Sequence, residues 1–431
     1  MIKETGVWLT GLPLSRRIAP HQTWQAVSAL PAGFWLLAAA TFLFNLGISV
    51  FLFLYNLLML DLGFREKSLG AFASAMALGS LAGTIPMGIL AQRFGLKRAL
   101  ATCLLVMGAA FEARAFIIWP PAQVAFSFCD GVVLCGWVVC LSPAVAGEVE
   151  ELQRPLAFSI LFSIAVASGS LGGVLGGNLP HWSQWLVRHY AGISLTAAAG
   201  KRITILIASM FTALAAWPVS QLRGQIRPRA SGWLRRPSPF LVRFLIAFAC
   251  WSAAIGAFNP FTNVFFSRYL GVATSNLGNF FAIAQLVQAG TVLLVPLLVR
   301  RAGLTGGLLI MQLMTATILG FLSRGHGILV EEIVYCLFMA AQHMTEPAIQ
   351  NLLMNRVAPS QRSEASASSY LVASLAQAAA AALAGLAFAD FNHMEVIGCI
   401  AGAIDAAALL FRWLCGPQPE PKQESLQPAV R

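Results

Sequence analysis

The sequence consists mainly of apolar runs that are long enough to cross a lipid bilayer as helices, and short polar turns separate most of them. A hydrocarbon layer about 30 Å thick requires about 20 apolar residues in a helix, and the backbone inside lipid must satisfy its own hydrogen bonds. Only 10% of the residues are charged, whereas soluble domains carry about 25%. We therefore predict an all-α integral membrane protein.

Twelve membrane-spanning helices are predicted from these runs. They span 33–60, 68–91, 97–118, 122–147, 155–179 and 202–221 in the first half, and 240–267, 274–299, 304–323, 328–355, 363–389 and 395–415 in the second. The corresponding domains are an N-terminal tail (1–30), a six-helix bundle (31–221), a basic linker (222–239), a second bundle (240–416) and a disordered tail (417–431). The longer connection 181–201 is aromatic, which predicts a short helix in the membrane interface.

The second half of the chain repeats the first at a constant offset of 208 residues (278 − 70). The repeated positions include the pairs Gly63/Gly271, Gly70/Gly278, Phe72/Phe280, Arg93/Arg301, Gly95/Gly303, Arg154/Arg362 and Gly177/Gly385. A constant register over this distance indicates two copies of one membrane unit in the same orientation. We therefore predict two pseudo-symmetric six-helix bundles.

A short basic turn, 88–98, connects the second and third predicted helices. Gly88 is expected to allow close helix packing, and Gly95 is expected to permit a tight turn. Arg93, Lys97 and Arg98 place this turn in the cytoplasm, because basic residues concentrate in cytoplasmic loops. Since the other strongly basic turns lie on the same side, both termini are expected to be cytoplasmic, in a bacterial inner membrane.

This turn resembles the loop signature G-x-x-x-D-R-x-G-R-[RK] of the major facilitator superfamily. Gly88, Arg93, Gly95 and Lys97 match it, whereas Gln92 replaces the usual Asp and Leu96 stands where the family often has Arg. The resemblance implies a secondary transporter in which two halves rock about a central site. It also implies gating residues at the cytoplasmic ends of the helices, which are Gly88, Gln92, Arg93, Gly95, Lys97, Arg154, Arg301, Gly303 and Arg362.

The fifth predicted helix contains five closely spaced glycines, which close packing has to compensate. Gly172, Gly176 and Gly177 match the antiporter motif G-P-x-x-G-G of the same superfamily, and Gly173 replaces its proline. The motif is associated with exporters, so the resemblance implies efflux.

Polar side chains at membrane depth are candidates for cargo contacts, because burying them in lipid is costly. The candidates are the polar residues Asn45, Ser49, Asn259, Asn263, Gln285, Gln288 and Gln350, together with the aromatic Phe266 beside two of these amides. Pro260 is expected to kink the seventh helix between two of these amides. An aromatic wall with a few amides suits an amphiphilic or hydrophobic cargo. The alternative is that the amides hold helices together and the rings face lipid.

The tenth predicted helix places His343 and Glu346 on one face, three residues apart. An imidazole beside a carboxyl in apolar surroundings can hold and release a proton, as a proton-coupled carrier requires. Asp130 is a further proton-coupling candidate, and it can instead form a structural pair with Arg114. The alternative for His343 and Glu346 is likewise a structural pair.

Other classes of protein are disfavoured. The net charge of +11 follows from the basic loops, and no compact basic domain suggests nucleic-acid binding. The eight cysteines form no C-x-x-C, the spacing of His181 and His189 does not suit a metal site, and no catalytic motif is present. We expect a monomeric, cofactor-free carrier surrounded by lipid that exports a small molecule in exchange for protons. The alternatives are a proton-coupled uptake symporter and a polytopic protein that transports nothing.

Overall fold

The computed structural model describes residues 27, 29–150, 153–222, 238–357 and 361–416, without the side chains of 155 and 362–364. The described chain is helical almost throughout. The helices are α1 (Ala32–Asp61), α2 (Glu66–Phe94), α3 (Leu96–Phe116), α4 (Pro120–Glu148), α5 (Arg154–Ala191), α6 (Ala197–Ser220), α7 (Pro239–Tyr269), α8 (Thr274–Val292), α9 (Val295–Leu322), α10 (Ile328–Arg356), α11 (Arg362–Asp390) and α12 (His393–Cys415).

Eleven of these helices are long and apolar enough to span a membrane. The exception is α8, which ends at Val292 because the helix breaks at Leu293–Leu294. The rest of the eighth membrane crossing, residues 295–302, forms the first part of α9. Gly303 has a φ of 72° and marks the turn into the ninth crossing. The all-α, twelve-helix prediction is confirmed. The predicted tails and the linker lie almost entirely outside the described residues.

The prediction of a connection over 181–201 was wrong, because α5 continues through Pro180 to Ala191. Trp182 and Trp185 lie one turn apart and are more than half exposed, as expected for side chains on one outer face of a helix. Gly192, with a φ of 67°, then ends the helix in the left-handed conformation that glycine favours. The following helix starts at Ala197 rather than at 202.

The repeat is visible in how the helices pack. In the first half, α1 packs on α5 and α6, and α3 packs on α4 and α6, while α2 packs on α4. In the second half, α7 packs on α11 and α12, and α9 packs on α10 and α12, while α8 packs on α10. The two halves meet along two helix pairs, α2–α11 and α5–α8. The repeat relates α2 to α8 and α5 to α11, so the two pairs are equivalent. The predicted pseudo-symmetry is therefore confirmed.

Four glycines lie at close backbone contacts between the halves. A Cβ on Gly70 would lie 2.9 Å from the Cα of Gly385, and one on Gly177 would lie 2.8 Å from the Cα of Gly278. These four positions are two pairs at the offset of 208 residues found in the sequence (278 − 70 and 385 − 177). The repeat therefore preserves the places where the backbones of the two halves touch, as small residues allow in membrane bundles.

The chain enters the bundle at the end where α1 begins and α12 ends, here called the proximal end, and the opposite end is called the distal end. Gly95 and Gly303, with φ of 86° and 72°, form equivalent proximal turns in the two halves. The expectation that Gly88 packs closely was wrong, because a Cβ there would meet no atom within 4 Å.

The seventh crossing is interrupted, as Pro260 predicted. Regular α-helix ends at Phe258 and is followed by a 3-10 turn at Asn259–Phe261 and by π-helix at Phe265–Tyr269. Proline lacks the N–H that would continue the helix, and π-turns inside helices often mark functional sites.

Candidate functional site

A cavity of about 660 Å³ lies between the two halves. Its wall comes from α1, α2, α5, α7, α8, α10 and α11, with single contributions from α3 and α4. Aromatic rings dominate the surface, namely Phe51, Phe53, Tyr55, Phe72, Phe281, Tyr335 and Tyr370. Among the described residues on this wall, Arg114 carries the one fixed charge and no carboxylate is present.

Several polar groups on the wall are not used by the protein itself. Ser49, Asn259, Gln285 and Gln377 line the cavity, and no described residue forms a hydrogen bond with their side chains. His343 uses Nδ1 for the Met339 carbonyl, at 2.9 Å, which leaves Nε2 available. The wall therefore offers both donors and acceptors between aromatic rings, as small-molecule sites generally do.

Four of the predicted cargo contacts, Ser49, Asn259, Asn263 and Gln285, lie on this wall, and the other four do not. Asn45 donates to the Thr41 carbonyl of its own helix, at 2.8 Å. Phe266 is fully buried and packs on Phe280 and Tyr335. Gln288 has its Oε1 buried outside the cavity, and Gln350 is exposed nearer the proximal end.

The residues that sequence reasoning missed are on α11. Tyr370, Ser374 and Gln377 line the cavity, and Tyr370 Oη donates to Ser80 Oγ at 3.4 Å. Their spacing of four and three residues forms a stripe on a helix that is otherwise rich in alanine. That polar stripe could have been found from the sequence alone.

The cavity-facing side of α10 carries the predicted proton-coupling residues. Tyr335, Met339 and His343 line the cavity at intervals of four residues. Helical periodicity places Glu346 and Gln350 on the same side, one and two turns nearer the proximal end, and both are exposed. No hydrogen bond or ion pair joins His343 to Glu346 in the described structure, so the two groups are separate sites on one face.

Asp130 forms a buried ion pair with Arg114, whose Nη1 donates to Asp130 Oδ2. The two side chains are 1% and 3% exposed. The guanidinium lies over the rings of Tyr55 and Phe51, at 3.9 and 5.1 Å from their centroids. Arg114 lines the cavity, whereas Asp130 lies behind it.

Gln123 connects this pair to the surrounding helices. Its Nε2 donates to the Arg114 and Ile117 carbonyls, and its Oε1 accepts from Tyr55 Oη at 2.9 Å. The pair itself is incompletely satisfied, because Arg114 Nε and Asp130 Oδ1 are buried without a described hydrogen-bond partner. Partly satisfied buried charges of this kind are costly.

The distal end of the cavity is closed by two reciprocal hydrogen bonds between α1 and α7. Asn56 Nδ2 donates to the Pro260 carbonyl at 2.6 Å, and Asn263 Nδ2 donates to the Phe53 carbonyl at 2.7 Å. Asn263 Oδ1 also accepts from the backbone N–H of Val264. The interruption of α7 thus leaves the Pro260 carbonyl free to accept a hydrogen bond from α1. At these positions the amides hold helices together, which was the alternative considered from the sequence.

An ion pair adds to the distal closure. Glu66 on α2 accepts from Tyr269 Oη at 2.9 Å and lies 3.1 Å from Arg268 Nη1 on α7. From the distal end to Ser80–Tyr370 near mid-membrane, side-chain hydrogen bonds join the halves.

The predicted gating residues lie at the proximal end. Gln92, Arg93 and Arg301 are exposed, and Lys97 Nζ donates to the Leu222 carbonyl within the first half. Arg154 donates to the Ala146 carbonyl at 3.2 Å. The side chain of Arg362 lies outside the described residues. Gating by these residues stays a prediction.

We expect the variant Asn56→Ala/Asn263→Ala to open the distal end. Each neutral hydrogen bond contributes about 1 kcal/mol, so loss of both should shift the equilibrium between closed and open distal ends by roughly 30-fold. A cysteine introduced at Ala373, on the cavity wall, should then react faster with an impermeant thiol reagent added on the distal side. Asn45→Ala is the matched control, because Asn45 bonds only to its own helix. Equal labelling of all three proteins would contradict this role.

Comparisons with known proteins agree on the fold. The Major Facilitator Superfamily model matches residues 37–381. A comparison with curated protein sequences finds no match.

Solved structures with the same fold include three transporters. The nucleoside transporter NupG is 14% identical, with a TM-score of 0.71, over 90% of this chain and 100% of that chain. An inward-facing, unoccupied bacterial homolog of the human lysosomal transporter Spinster is 13% identical, with a TM-score of 0.69, over 89% and 96%. A D-xylose-proton symporter is 16% identical, with a TM-score of 0.65, over 90% and 98%. Identities this low establish a shared fold and carry no information about cargo.

Proposed function

The chain belongs to the Major Facilitator Superfamily, and from this premise we propose that it is a proton-coupled secondary transporter of a small amphiphilic molecule. The observation that carries the proposal is the central cavity, which is lined by aromatic rings and unused polar groups from both halves and has hydrogen bonds between the halves at its distal end. Alternating access needs a site between two rigid halves that can close at either end. The duplicated packing of α2–α11 and α5–α8 supplies such halves.

The basic proximal turns support a cytoplasmic location for the proximal end and for both termini. In that orientation, the hydrogen bonds between the halves at the distal end are those expected of an inward-facing state. A monomer in a bacterial inner membrane fits this arrangement, because each chain has its own complete cavity.

The candidate groups for proton coupling are Asp130 on α4 and two residues on the cavity-facing side of α10. His343 has Nε2 available on the wall, and Glu346 is exposed one turn nearer the proximal end. Titratable groups at membrane depth that face a cavity are common in proton pathways. Coupling to protons has a precedent on this fold in the D-xylose-proton symporter.

We expect Glu346→Gln to separate cargo exchange from proton coupling. Glutamine keeps the size and polarity of the side chain but cannot carry a proton, so proton-driven accumulation in proteoliposomes should fall about tenfold or more. Exchange of labelled for unlabelled cargo across the membrane requires no net proton movement and should persist. Glu112→Gln, an exposed change on α3, is the control. Full proton-driven accumulation by Glu346→Gln would exclude this carboxyl from the mechanism.

Two directions of coupling are candidates. Export in exchange for protons is supported by the resemblance of the α5 glycines to the antiporter motif. In the structure, however, Gly172 and Gly176 pack on α1, and Gly173 and Gly177 pack on α8, so packing alone explains these glycines. Import together with protons is supported by the Arg114–Asp130 pair, which couples a cavity-lining cation to a carboxyl.

Inverted membrane vesicles distinguish these candidates. A panel of labelled amphiphilic compounds is added, and the internal pH is followed with a trapped dye. Antiport moves protons out of the vesicle as the cargo enters, whereas symport acidifies the interior. A protein that changes neither internal pH nor cargo distribution for any compound would support the third class, a membrane protein that transports nothing.

A further inference from the structure

We infer that the cargo carries one carboxylate, which binds Arg114 in place of Asp130 while Asp130 takes up one proton. The inference rests on the proposed transport function and selects symport from its two candidate directions. Its basis is the geometry of one side chain: Arg114 faces the cavity and holds its internal partner by a single recorded hydrogen bond.

The ion pair leaves part of the hydrogen-bonding capacity of Arg114 unused. A guanidinium has five N–H donors in a planar fork that matches a carboxylate. Here Nη1 is used for Asp130, whereas Nε is buried and has no described partner. A cargo carboxylate that reaches Arg114 from the cavity would supply the partner that Nε lacks.

A carboxylate on this wall would meet no fixed charge other than that of Arg114. Arg114 is the one fixed charge among the described lining residues, and the wall has no Asp or Glu. The Arg114–Asp130 pair is neutral as a whole, but its cationic member lines the cavity, so the wall offers a partner to a carboxylate and none to an organic cation. Rings of Tyr55, Phe72 and Phe281 nearby suit an apolar or aromatic remainder of the cargo.

The requirement of electrical neutrality fixes the number of protons. Before binding, Arg114 and Asp130 cancel each other. After a monoanion binds, the buried site would hold two negative charges against one positive charge, which is unfavourable in a low dielectric. One proton from solvent on Asp130 restores neutrality, with no bond other than the O–H formed. A phosphate monoester, with nearly two negative charges, would leave an excess charge.

Few other charged groups influence this exchange. Tyr55 on α1 and Arg114 on α3 are the titratable or charged groups that act on Asp130 in the described structure. At this level α2 presents the backbone of Met76 and the Ser80 hydroxyl, which do not titrate. Glu112 precedes Arg114 by two residues and is exposed, whereas Arg114 is buried.

The test uses matched pairs of uncharged and anionic probes, namely benzamide with benzoate and 2-naphthamide with 2-naphthoate. Binding is measured on the full-length protein in detergent by the shift in its unfolding midpoint, for wild type, Asp130→Asn and Arg114→Gln/Asp130→Asn. A ligand that binds the native state raises this midpoint.

We expect at least one carboxylate to raise the midpoint of the wild type where its amide does not, and more so at lower pH. In Asp130→Asn, which mimics the protonated acid, the carboxylate should bind about tenfold or more tightly and without dependence on pH. In the double variant, carboxylate and amide should act alike. Equal shifts by both members of each pair in the wild type, or a carboxylate preference that persists in the double variant, would overturn the inference, as would no shift from any carboxylate.

Calorimetry on the wild type keeps the inference testable if Asp130→Asn does not fold. Binding of the carboxylate in buffers of different ionisation enthalpy should show uptake of about one proton per molecule bound. Binding without proton uptake would overturn the inference. Proton-coupled flux of an amide probe with no carboxylate binding would remove this inference and leave the transport proposal intact. Proton-linked binding of a carboxylate without any flux would support this inference and contradict the transport proposal.

Discussion

The variant Gly278→Val is expected to reduce transport strongly while the protein still inserts and folds. A Cβ at this position would collide with the Gly173 carbonyl and lie 2.5 Å from the Cα of Gly177. Because these neighbours are backbone atoms of the opposite half, they cannot move aside as a flexible side chain would. The two halves must separate at the distal end, so that alternate opening to the two sides fails.

We expect cargo flux of Gly278→Val to fall about tenfold or more, and a cysteine at Ala373 to become reactive from the distal side. The labelling experiment uses a background in which the exposed Cys129, Cys250 and Cys399 are replaced by serine. Gly70→Val, the symmetry-related change, should behave in the same way.

Gly290→Val is the matched control on the same helix. It replaces another glycine of the same helix with valine, but a Cβ at this position would meet no atom within 4 Å. If Gly290→Val reduced flux as much as Gly278→Val, the effect would come from the helix itself, and the close crossing would have no special role.

The second large effect is expected from Arg114→Gln, which leaves Asp130 buried without its partner. Breaking a buried ion pair on one side costs about 3–5 kcal/mol, which for a chain of 431 residues corresponds to a fall in the unfolding midpoint on the order of 5 °C. The loss should be strongest at neutral pH, where the orphaned carboxyl is most costly to keep ionised. Arg114→Gln/Asp130→Asn should recover most of the stability, because neither charge then remains.

Asp61→Asn provides the comparison. Asp61 pairs with Lys201 at 2.8 Å at the distal end, but its side chain is 30% exposed. Lys201 is 10% exposed, so solvent reaches this pair mainly through Asp61, and the unfolding midpoint of Asp61→Asn should fall less than that of Arg114→Gln. A fall of similar size for Asp61→Asn and Arg114→Gln would show that burial does not set the cost.

The sequence was sufficient for the helical architecture because lipid leaves the backbone few choices. The lengths of the apolar runs predicted the membrane-spanning helices, and the internal repeat predicted that these helices form two equivalent halves. The same offset marked Gly70, Gly177, Gly278 and Gly385, which proved to lie at close backbone contacts between the halves. Small residues at fixed positions leave a trace in the sequence, since a larger side chain would separate the helices.

The cavity wall was less predictable, because a polar side chain in a helix can satisfy itself locally. Asn45 bonds to its own helix, and Asn263 bonds to a carbonyl of α1, although both were expected to contact cargo. Phe266 packs inside the second half. Which of these outcomes occurs depends on the rotation of each helix about its axis, and hydropathy does not determine that rotation.

The interruption of α7 has a consequence for how cargo is enclosed. Because the helix changes form at Asn259–Phe261 and again at Phe265–Tyr269, its distal third is not a rigid continuation of the rest. We expect this segment to tilt inward around bound cargo before the larger rearrangement, producing an occluded intermediate. The energy barrier for the cycle is then divided into a small local step followed by a global one.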